Sequence, residues 1–324
     1  MAAIKWGVIS TADINNKLLA GAAESDDVEV LAVGSRDSGR AAAFAKEHGI
    51  ERSYGSYDEL LADPDVQAVY NPLPNTMHSE WTIRALEAGK HVLCEKPFSM
   101  HPAEVSDAFD VADRTGLVLS EAFMWRHNPQ TKKLAELVAE GAIGELRLIR
   151  STFSYALFDR DNIRLQTALE GGALMDVGCY CISGSRLLGG EPVAVTGRQY
   201  TGPSGTDWLF TAILEFPNDV LATFDCATCL TSRDELEAIG TEGSLFLDDP
   251  WHCLSPGIEI RRDGEVVDRI EVERQNSYRL ELEDVNAAIR GERPPLLGRE
   301  DAMGQVHTIE ALFRASAEGR TVSL

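Results

Sequence analysis

Residues Val92–Pro97 read "VLCEKP", an apolar run that ends abruptly in an acid, a lysine and a proline. The chain has only seven lysines in 324 residues, so Lys96 at the edge of a strand-like run invites a chemical question. Two readings are open from these residues alone. One is a solvated surface ammonium, since lysine is seldom fully buried. The other is a fixed positive charge at the carboxyl end of a strand, where ligands bind on an open parallel sheet. A second candidate is the first strand-to-helix turn, "GVISTADIN". A G-x-G-x-x-G fingerprint would put glycines where backbone approaches a pyrophosphate at a helix N-terminus. The aligned positions are Ser10, Ala12 and Asn15, so no glycine remains. Ser10, Thr11 and Ala12 are still small enough to admit phosphate oxygens, Thr11 adds a hydroxyl, and Asp13 and Ile14 complete the candidate turn; an ordinary connection fits equally. A third candidate is "LAVGSRD", about 20 residues further on. An NAD site wants an acid there, whereas a 2′-phosphate wants arginine and a small hydroxyl donor. Ser35 and Arg36 supply the latter, with Arg40 one turn along. A charge-assisted contact of about 1.5–3 kcal/mol outweighs the general repulsion of an anion by an acidic chain. NADP is therefore expected over NAD, against the alternative of a solvated arginine at a helix start.

These residues need elements to hold them. Over the first third, short β-rich runs ("IKWGVIS", "VEVLAVGS", "VQAVYN", "HVLCEK", "LVLSEAF") alternate with helical segments ("ADINNKLLAGAAE", "DSGRAAAFAKEHG", "HSEWTIRALEAGK", "PAEVSDAFDVADRTG"). Such alternation implies right-handed βαβ units, hence a Rossmann-like, doubly wound parallel sheet covered on both faces. From about residue 124 the texture changes. One helix, "NPQTKKLAELVAEG", leads into longer alternating strands with turn pairs at Pro217-Asn218 and Asp263-Gly264, which predicts an α+β domain on a mostly antiparallel open sheet. The expected division is 1–123 for NADP binding and 124–324 for substrate binding and oligomerisation.

Composition bounds the rest. With 52 acidic against 30 basic residues, the net charge of -22 argues against nucleic-acid and anionic-membrane partners. No run of about 18 apolar residues exists and the opening "MAAIKWGVIS" has no signal-peptide pattern, so a cytoplasmic protein is expected. Cys226 and Cys229 form a CxxC, but without a second ligand pair they read as packed thiols, and no metal is expected.

The ordered set "GVISTADI", "AVGSRD", "NPLPNTMHSEWTIRALEAGKHVLCEKP", "SEAFMWRHNP" and "GGALMDVGCYCI" resembles the Gfo/Idh/MocA family of nicotinamide-dependent oxidoreductases, in the branch that includes dimeric dihydrodiol dehydrogenase and D-xylose dehydrogenase. The likeness covers nearly the whole chain. It implies that Lys96, with Glu95 before it and a cis bond before Pro97, faces the nicotinamide ribose and the substrate hydroxyl. It implies further that Pro72, Asn75 and His78 approach the cofactor. From "GGALMDVGCYC" it brings Asp176 and Tyr180, four apart and so on one face of a helix start. Tyr180 is then the acid/base, favoured as phenolate by the ammonium of Lys96, with Asp176 a hydrogen-bonding positioner or else a helix N-cap. Trp125, Arg126 and His127 after "SEAF", and Phe153, Phe158 and Arg164 from the second domain, are candidate substrate contacts, each also readable as packing. Aromatic faces with a few polar groups suit a sugar or cyclic diol. The expected activity is an NADP-dependent dehydrogenase or reductase acting on a secondary alcohol. The alternatives are a sugar ketoreductase working mainly in the reducing direction, or a catalytically silent NADP-binding regulator. A homodimer or homotetramer is expected, paired through an open sheet face made partly apolar by "WLFTAILEF".

Overall fold

The computed structural model describes residues 2–324. The chain forms two compact units: one runs up to His127 and takes in Asn276–Met303, the other comprises Asn128–Gln275 and Gly304–Leu324.

In the first unit, β1 (Ile4–Ile9), β2 (Val28–Gly34), β3 (Arg52–Tyr54), β4 (Ala68–Asn71), β5 (His91–Glu95) and β6 (Leu119–Ala122) form one sheet in the order β3-β2-β1-β4-β5-β6. Every pair is parallel. The order reverses between β1 and β4, and the crevice at such a switch point is where ligands bind on sheets of this type. Local signals account for the helices between the strands. Ser38–His48 starts on Asp37, whose side chain accepts the Arg40 N–H, and stops at Gly49 in a left-handed conformation; Pro102–Thr115 begins on proline and ends likewise at Gly116. The division at residue 123 needs correction. Helix Ser277–Ile289 belongs to the first unit, because Leu282 and Val285 bury themselves with Trp6, Leu18 and Tyr70 and Trp6 Nε1 donates to Asn286 Oδ1 at 3.1 Å.

The second unit is built on nine strands: β7 (Leu146–Ala156), β8 (Ala194–Thr201), β9 (Asp207–Phe216), β10 (Val220–Ala227), β11 (Cys229–Gly240), β12 (Ser244–Leu247), β13 (Gly257–Arg262), β14 (Glu265–Glu271) and β15 (Val322–Ser323). Their order is β14-β13-β12-β11-β7-β10-β9-β8-β15. All neighbours are antiparallel except β7 and β10. Of the predicted turn pairs, Asp263 and Gly264 close a two-residue hairpin with φ of 50° and 86°, the positive pair that suits its twist. The other connection is one residue longer than the predicted Pro217-Asn218, running Pro217–Asp219 with Asn218 and Asp219 at φ of 62° and 58°.

The open face takes only part of its apolar surface from β9, through Ile213 at 46% exposure. Along β9 it is Trp208, Phe210, Ala212, Leu214 and Phe216 that are buried, while Thr211, Ile213 and Glu215 point the other way. The outward face holds a groove of ≈ 590 Å³ lined by ionic side chains together with Ile213, Phe224 and Phe246: Arg233 Nη2 grips Asp225 at 2.7 Å, and Arg261 pairs with Glu259 at 2.5 Å. Period-two alternation fixes which residues share a face but not which face the helices cover. Among the described residues no helix is long and apolar enough to cross a membrane. All six cysteines are free and five are buried.

Candidate active site

The first unit gathers its candidates at the carboxyl ends of β1, β2, β4 and β5. Ser10 directly follows β1 with φ of 76°, a region ordinarily left to glycine. Three bonds hold it there: its N–H donates to Gly34 O at 2.8 Å, its Oγ accepts the Ala12 N–H at 3.2 Å, and its carbonyl accepts Asn15 Nδ2 at 3.0 Å. The tight turn that a fingerprint obtains from glycine is thus made by serine, at a conformational cost of about 1–2 kcal/mol. Thr11, Ala12 and Ile14 are half-buried and Asp13 is exposed beside it. The following helix, Asn15–Ala23, has no side-chain N-cap, a condition that suits an anion at its N-terminus.

At the end of β2, Ser35 is buried and Arg36 and Arg40 are exposed. Tyr57 shows where Arg36 lies: burial pushes that phenol up, and the charge of the nearby Arg36 guanidinium pulls it back. In a chain with 52 acidic residues, neither Arg36 nor Arg40 has a carboxylate partner among the described residues. Two unneutralised guanidinium groups around a serine hydroxyl fit a 2′-phosphate.

After β4 and β5, two loops are tied together. Asn71 is fully buried and donates to His78 O at 3.1 Å and Thr82 Oγ1 at 3.2 Å. Pro72 is buried and Asn75 half-buried on the short turn that follows. His78, 1% exposed, lies 2.6 Å from Leu73 O through Nε2 and 2.9 Å from Pro97 O through Nδ1. Both nitrogens face carbonyls, so His78 is a strut between the loops instead of a ligand contact. Burial, aided by the Lys96 ammonium, holds its pKa below the usual histidine value, against the pull of the carbonyls. Lys96 is half-buried and its peptide bond to Pro97 is cis. Glu95 accepts Tyr70 OH at 2.5 Å and the Lys96 N–H at 3.2 Å. Behind it, Glu281 is buried with no hydrogen bond to either carboxyl oxygen, and burial, then the charge of Glu95, pushes it well above the carboxylate range. Trp125 and His127 are buried in this unit at 0% and 2% exposure. Arg126 pairs with Asp301 at 3.3 Å.

The second unit builds its half around "GGALMDVGCY". Gly172 adopts φ of 137°, and a Cβ there would fall 1.9 Å from Asp207 Oδ1. The carboxylate of Asp207 therefore sits on the glycine turn, where Oδ2 accepts the Leu174 N–H at 2.7 Å. It starts a π-helical turn, Leu174–Gly178, which continues as the helix Cys179–Gly189. Gly178 is required by close packing, since a Cβ would meet Cys226 Sγ at 2.7 Å. Asp176 and Tyr180 thus lie on either side of a π-to-α junction. Asp176 Oδ2 accepts Tyr155 OH at 2.5 Å, and Oδ1 accepts Arg164 Nε at 2.9 Å. The N-cap alternative for Asp176 falls away, because Asp207 does that work. Burial, then the Asp176 charge, pushes the Tyr155 phenol up. Tyr180 packs edge-on to Phe153 at 5.3 Å between ring centres and lies 6.0 Å from Trp251. Phe158 stands apart at 86% exposure. Tyr155 and Asp207 were missed by the sequence reading. Tyr155 had one signal, sharing a strand face with Phe153 by period two; Asp207 had none, being 33 residues from its partner.

Residues 4–123 match the model described as oxidoreductase family, NAD-binding Rossmann fold, and residues 131–246 the GFO/IDH/MocA C-terminal domain. The chain is 36% identical over 326 residues to D-xylose 1-dehydrogenase (NADP(+)) 2 of Haloferax volcanii, covering 98% of this chain and 99% of that one. It is 34% identical over 257 residues to human trans-1,2-dihydrobenzene-1,2-diol dehydrogenase, covering 78% and 76%. Among solved structures it is similar to a 3-ketoreductase from Actinomadura kijaniata in complex with NADP and TDP-benzene, at a TM-score of 0.91 and 30% identity over 97% of this chain and 98% of that one.

Proposed function

The chain belongs to the Gfo/Idh/MocA family of oxidoreductases, and from that premise we propose that it interconverts a secondary alcohol of a sugar or cyclic diol with its ketone, with Tyr180 as acid/base. It is a dehydrogenase or reductase acting on CH–OH groups, and its cofactor is NADP. Ser10, Thr11 and the uncapped helix start would hold the pyrophosphate, and Ser35, Arg36 and Arg40 the 2′-phosphate. Bound NADP supplies the site that takes or returns the hydride. The rest falls to side chains of the two units.

In oxidation the substrate hydroxyl must lose its proton as hydride leaves the same carbon. A phenol with a pKa of about 10 is a poor base until a neighbouring positive charge favours the phenolate. We assign the charge to Lys96 and the proton transfer to Tyr180, whose ring is fixed by Phe153 and Trp251. Asp176 acts as a positioner, tied to β7 through Tyr155 and to the preceding turn through Arg164. The observation that carries this reading is the construction around Tyr180: a glycine turn, a buried carboxylate and a π-to-α junction that serve to place one phenol beside an aromatic wall. Reduction of a sugar ketone uses the same groups in reverse, and the resemblance to a 3-ketoreductase favours that direction as the second reading. Free cysteines in a strongly acidic chain suit a reducing cytoplasm.

The test is absorbance of reduced nicotinamide against a panel of aldoses, inositols, glycosides and cyclic diols. Tyr180→Phe keeps the ring and removes the hydroxyl, so turnover is expected to fall by about 10²–10⁴ with cofactor affinity retained. Lys96→Met is expected to lower turnover too, and the two losses to combine less than additively. Near-normal turnover of Tyr180→Phe would remove Tyr180 from the mechanism. Tight NADP binding with no turnover on any substrate would favour a silent regulator instead.

A further inference from the structure

The second unit carries a histidine in the same aromatic cluster as Tyr180. His252 lies between β12 and β13, and its ring meets Phe153 edge-on at 5.4 Å, the ring that Tyr180 also touches. Nδ1 lies 2.5 Å from Asp234 Oδ2. A carboxylate at that distance makes Nδ1 a protonated nitrogen and leaves Nε2 to meet another group. Nε2 has no hydrogen-bond partner among the described residues, on a side chain 40% exposed. Burial pushes the Asp234 carboxyl up while the His252 N–H pulls it back.

The loop is held firmly in this shape. Asp249 Oδ2 accepts the N–H groups of Leu254 and Ser255 at 2.5 and 2.8 Å. The Trp251 N–H donates to Asp234 Oδ1 at 3.3 Å and its Nε1 to Thr152 O at 3.1 Å. Gln130 bridges the base of the loop, donating to Asp249 O at 3.0 Å and accepting the Gly257 N–H at 2.6 Å. The imidazole is therefore aimed before any ligand arrives, and little side-chain freedom remains to be lost on binding.

We infer that the Asp234–His252 pair is a hydroxyl-recognition element that makes the preferred substrate a polyhydroxylated ring, a pentose or hexose, over a cyclic diol whose remaining ring atoms are apolar. The inference rests on the oxidoreductase reading and deepens it. A sugar presents hydroxyls on carbons beyond the reacting one, and a hydroxyl both donates and accepts, so it satisfies Nε2 in either protonation state. A C–H in the same place would leave that nitrogen unpaired, and sites built to bind a hydroxyl reject analogues that lack it. Asp234, Asp249 and His252 also lie within 4.8 Å of one another, as metal ligands would. The donors argue against that role: Asp249 Oδ2 is taken by two backbone N–H groups, and the histidine nitrogen facing both acids is the one that carries the proton.

The experiment compares D-xylose with trans-cyclohexane-1,2-diol, as substrates and as ligands of the NADP(H)-loaded protein by calorimetry. For His252→Phe, kcat/KM and affinity for the sugar are expected to fall by about 10–100-fold, mainly through KM, with those for the diol unchanged within about twofold. Asp234→Asn is expected to shift the sugar in the same direction by less. His252→Gln, which retains an acceptor, is expected to recover part of the loss and covers the case of a poorly folding Phe variant. Equal losses on both ligands, or none on the sugar, would overturn the assignment. So would a requirement for a divalent cation, removed by a chelator and restored by the metal alone. A native protein that oxidises neither alcohol and reduces no related ketone would refute the oxidoreductase reading instead, while the sugar affinities still judge the pair.

Discussion

Replacing Asp207 by asparagine probes the support beneath the Tyr180 segment. The Asp207 side chain is 3% exposed, and its carboxyl is pushed up to about 7 by burial, against the opposing pull of backbone N–H groups at Leu174 and Ala173. The reference carboxyl titrates at 3.8. A folded-state pKa above the unfolded one contributes stability that is complete below the unfolded value and is lost as pH rises through the folded value. The interval is about three units, and at about 1.4 kcal/mol per unit the loss amounts to about 4 kcal/mol between about pH 4 and pH 8. Asparagine does not titrate and keeps one oxygen for the Leu174 N–H. Stability of Asp207→Asn minus that of the native protein is therefore expected to rise with pH across this window. Denaturant melts of both proteins at matched pH give that difference, in which the other 51 acidic groups cancel. A flat difference would refute the assignment of a titrating carboxyl to this site. A slope of opposite sign would mean that the N–H donors outweigh burial and that Asp207 is an ordinary anionic cap.

Arg36→Ala is expected to reduce the preference for NADP over NAD about tenfold, equivalent to roughly 1.4 kcal/mol, in fluorescence titrations of the two reduced cofactors; equal affinities in the native protein would contradict the 2′-phosphate assignment. Tyr155→Phe removes a 2.5 Å bond from Asp176 and is expected to lower turnover by about 10-fold or more while sparing cofactor affinity, with less than additive loss when combined with Arg164→Ala. Unchanged turnover would reduce Tyr155 to packing. A homodimer or homotetramer is expected by light scattering at micromolar concentration, weakened by salt because the open sheet face is ionic; a monomer would contradict it.

The parallel sheet was legible because alternation of short apolar runs with capped helices leaves few arrangements, and Lys96 was legible because it ends such a run. Other features depend on contacts that residue type does not encode. Nothing in "GVISTADIN" announces that Ser10 takes a left-handed conformation, since bonds from Gly34 and Asn15 arrive from the fold. The spacing of Asp176 and Tyr180 suggested one helical face, but the π turn changes the angle between them, and Tyr155 and Arg164 claim the carboxylate. His78 was expected at the cofactor loop, yet both its nitrogens face backbone carbonyls of the scaffold. For β9 the alternation was legible, but which of its two faces is covered was not, because the helices that cover it come from elsewhere in the chain.

The return of Asn276–Met303 to the first unit bears on how the molecule is made. Trp6 and Asn286, bonded across 280 residues, cannot meet on the ribosome until nearly all of the chain has been synthesised. Until then the nascent nucleotide-binding half lacks Leu282 and Val285 and shows water the apolar surface they cover. A gene fragment ending near residue 123 would encode that same unfinished state permanently, so it is expected to be a poor stand-alone NADP-binding module and a client for chaperones.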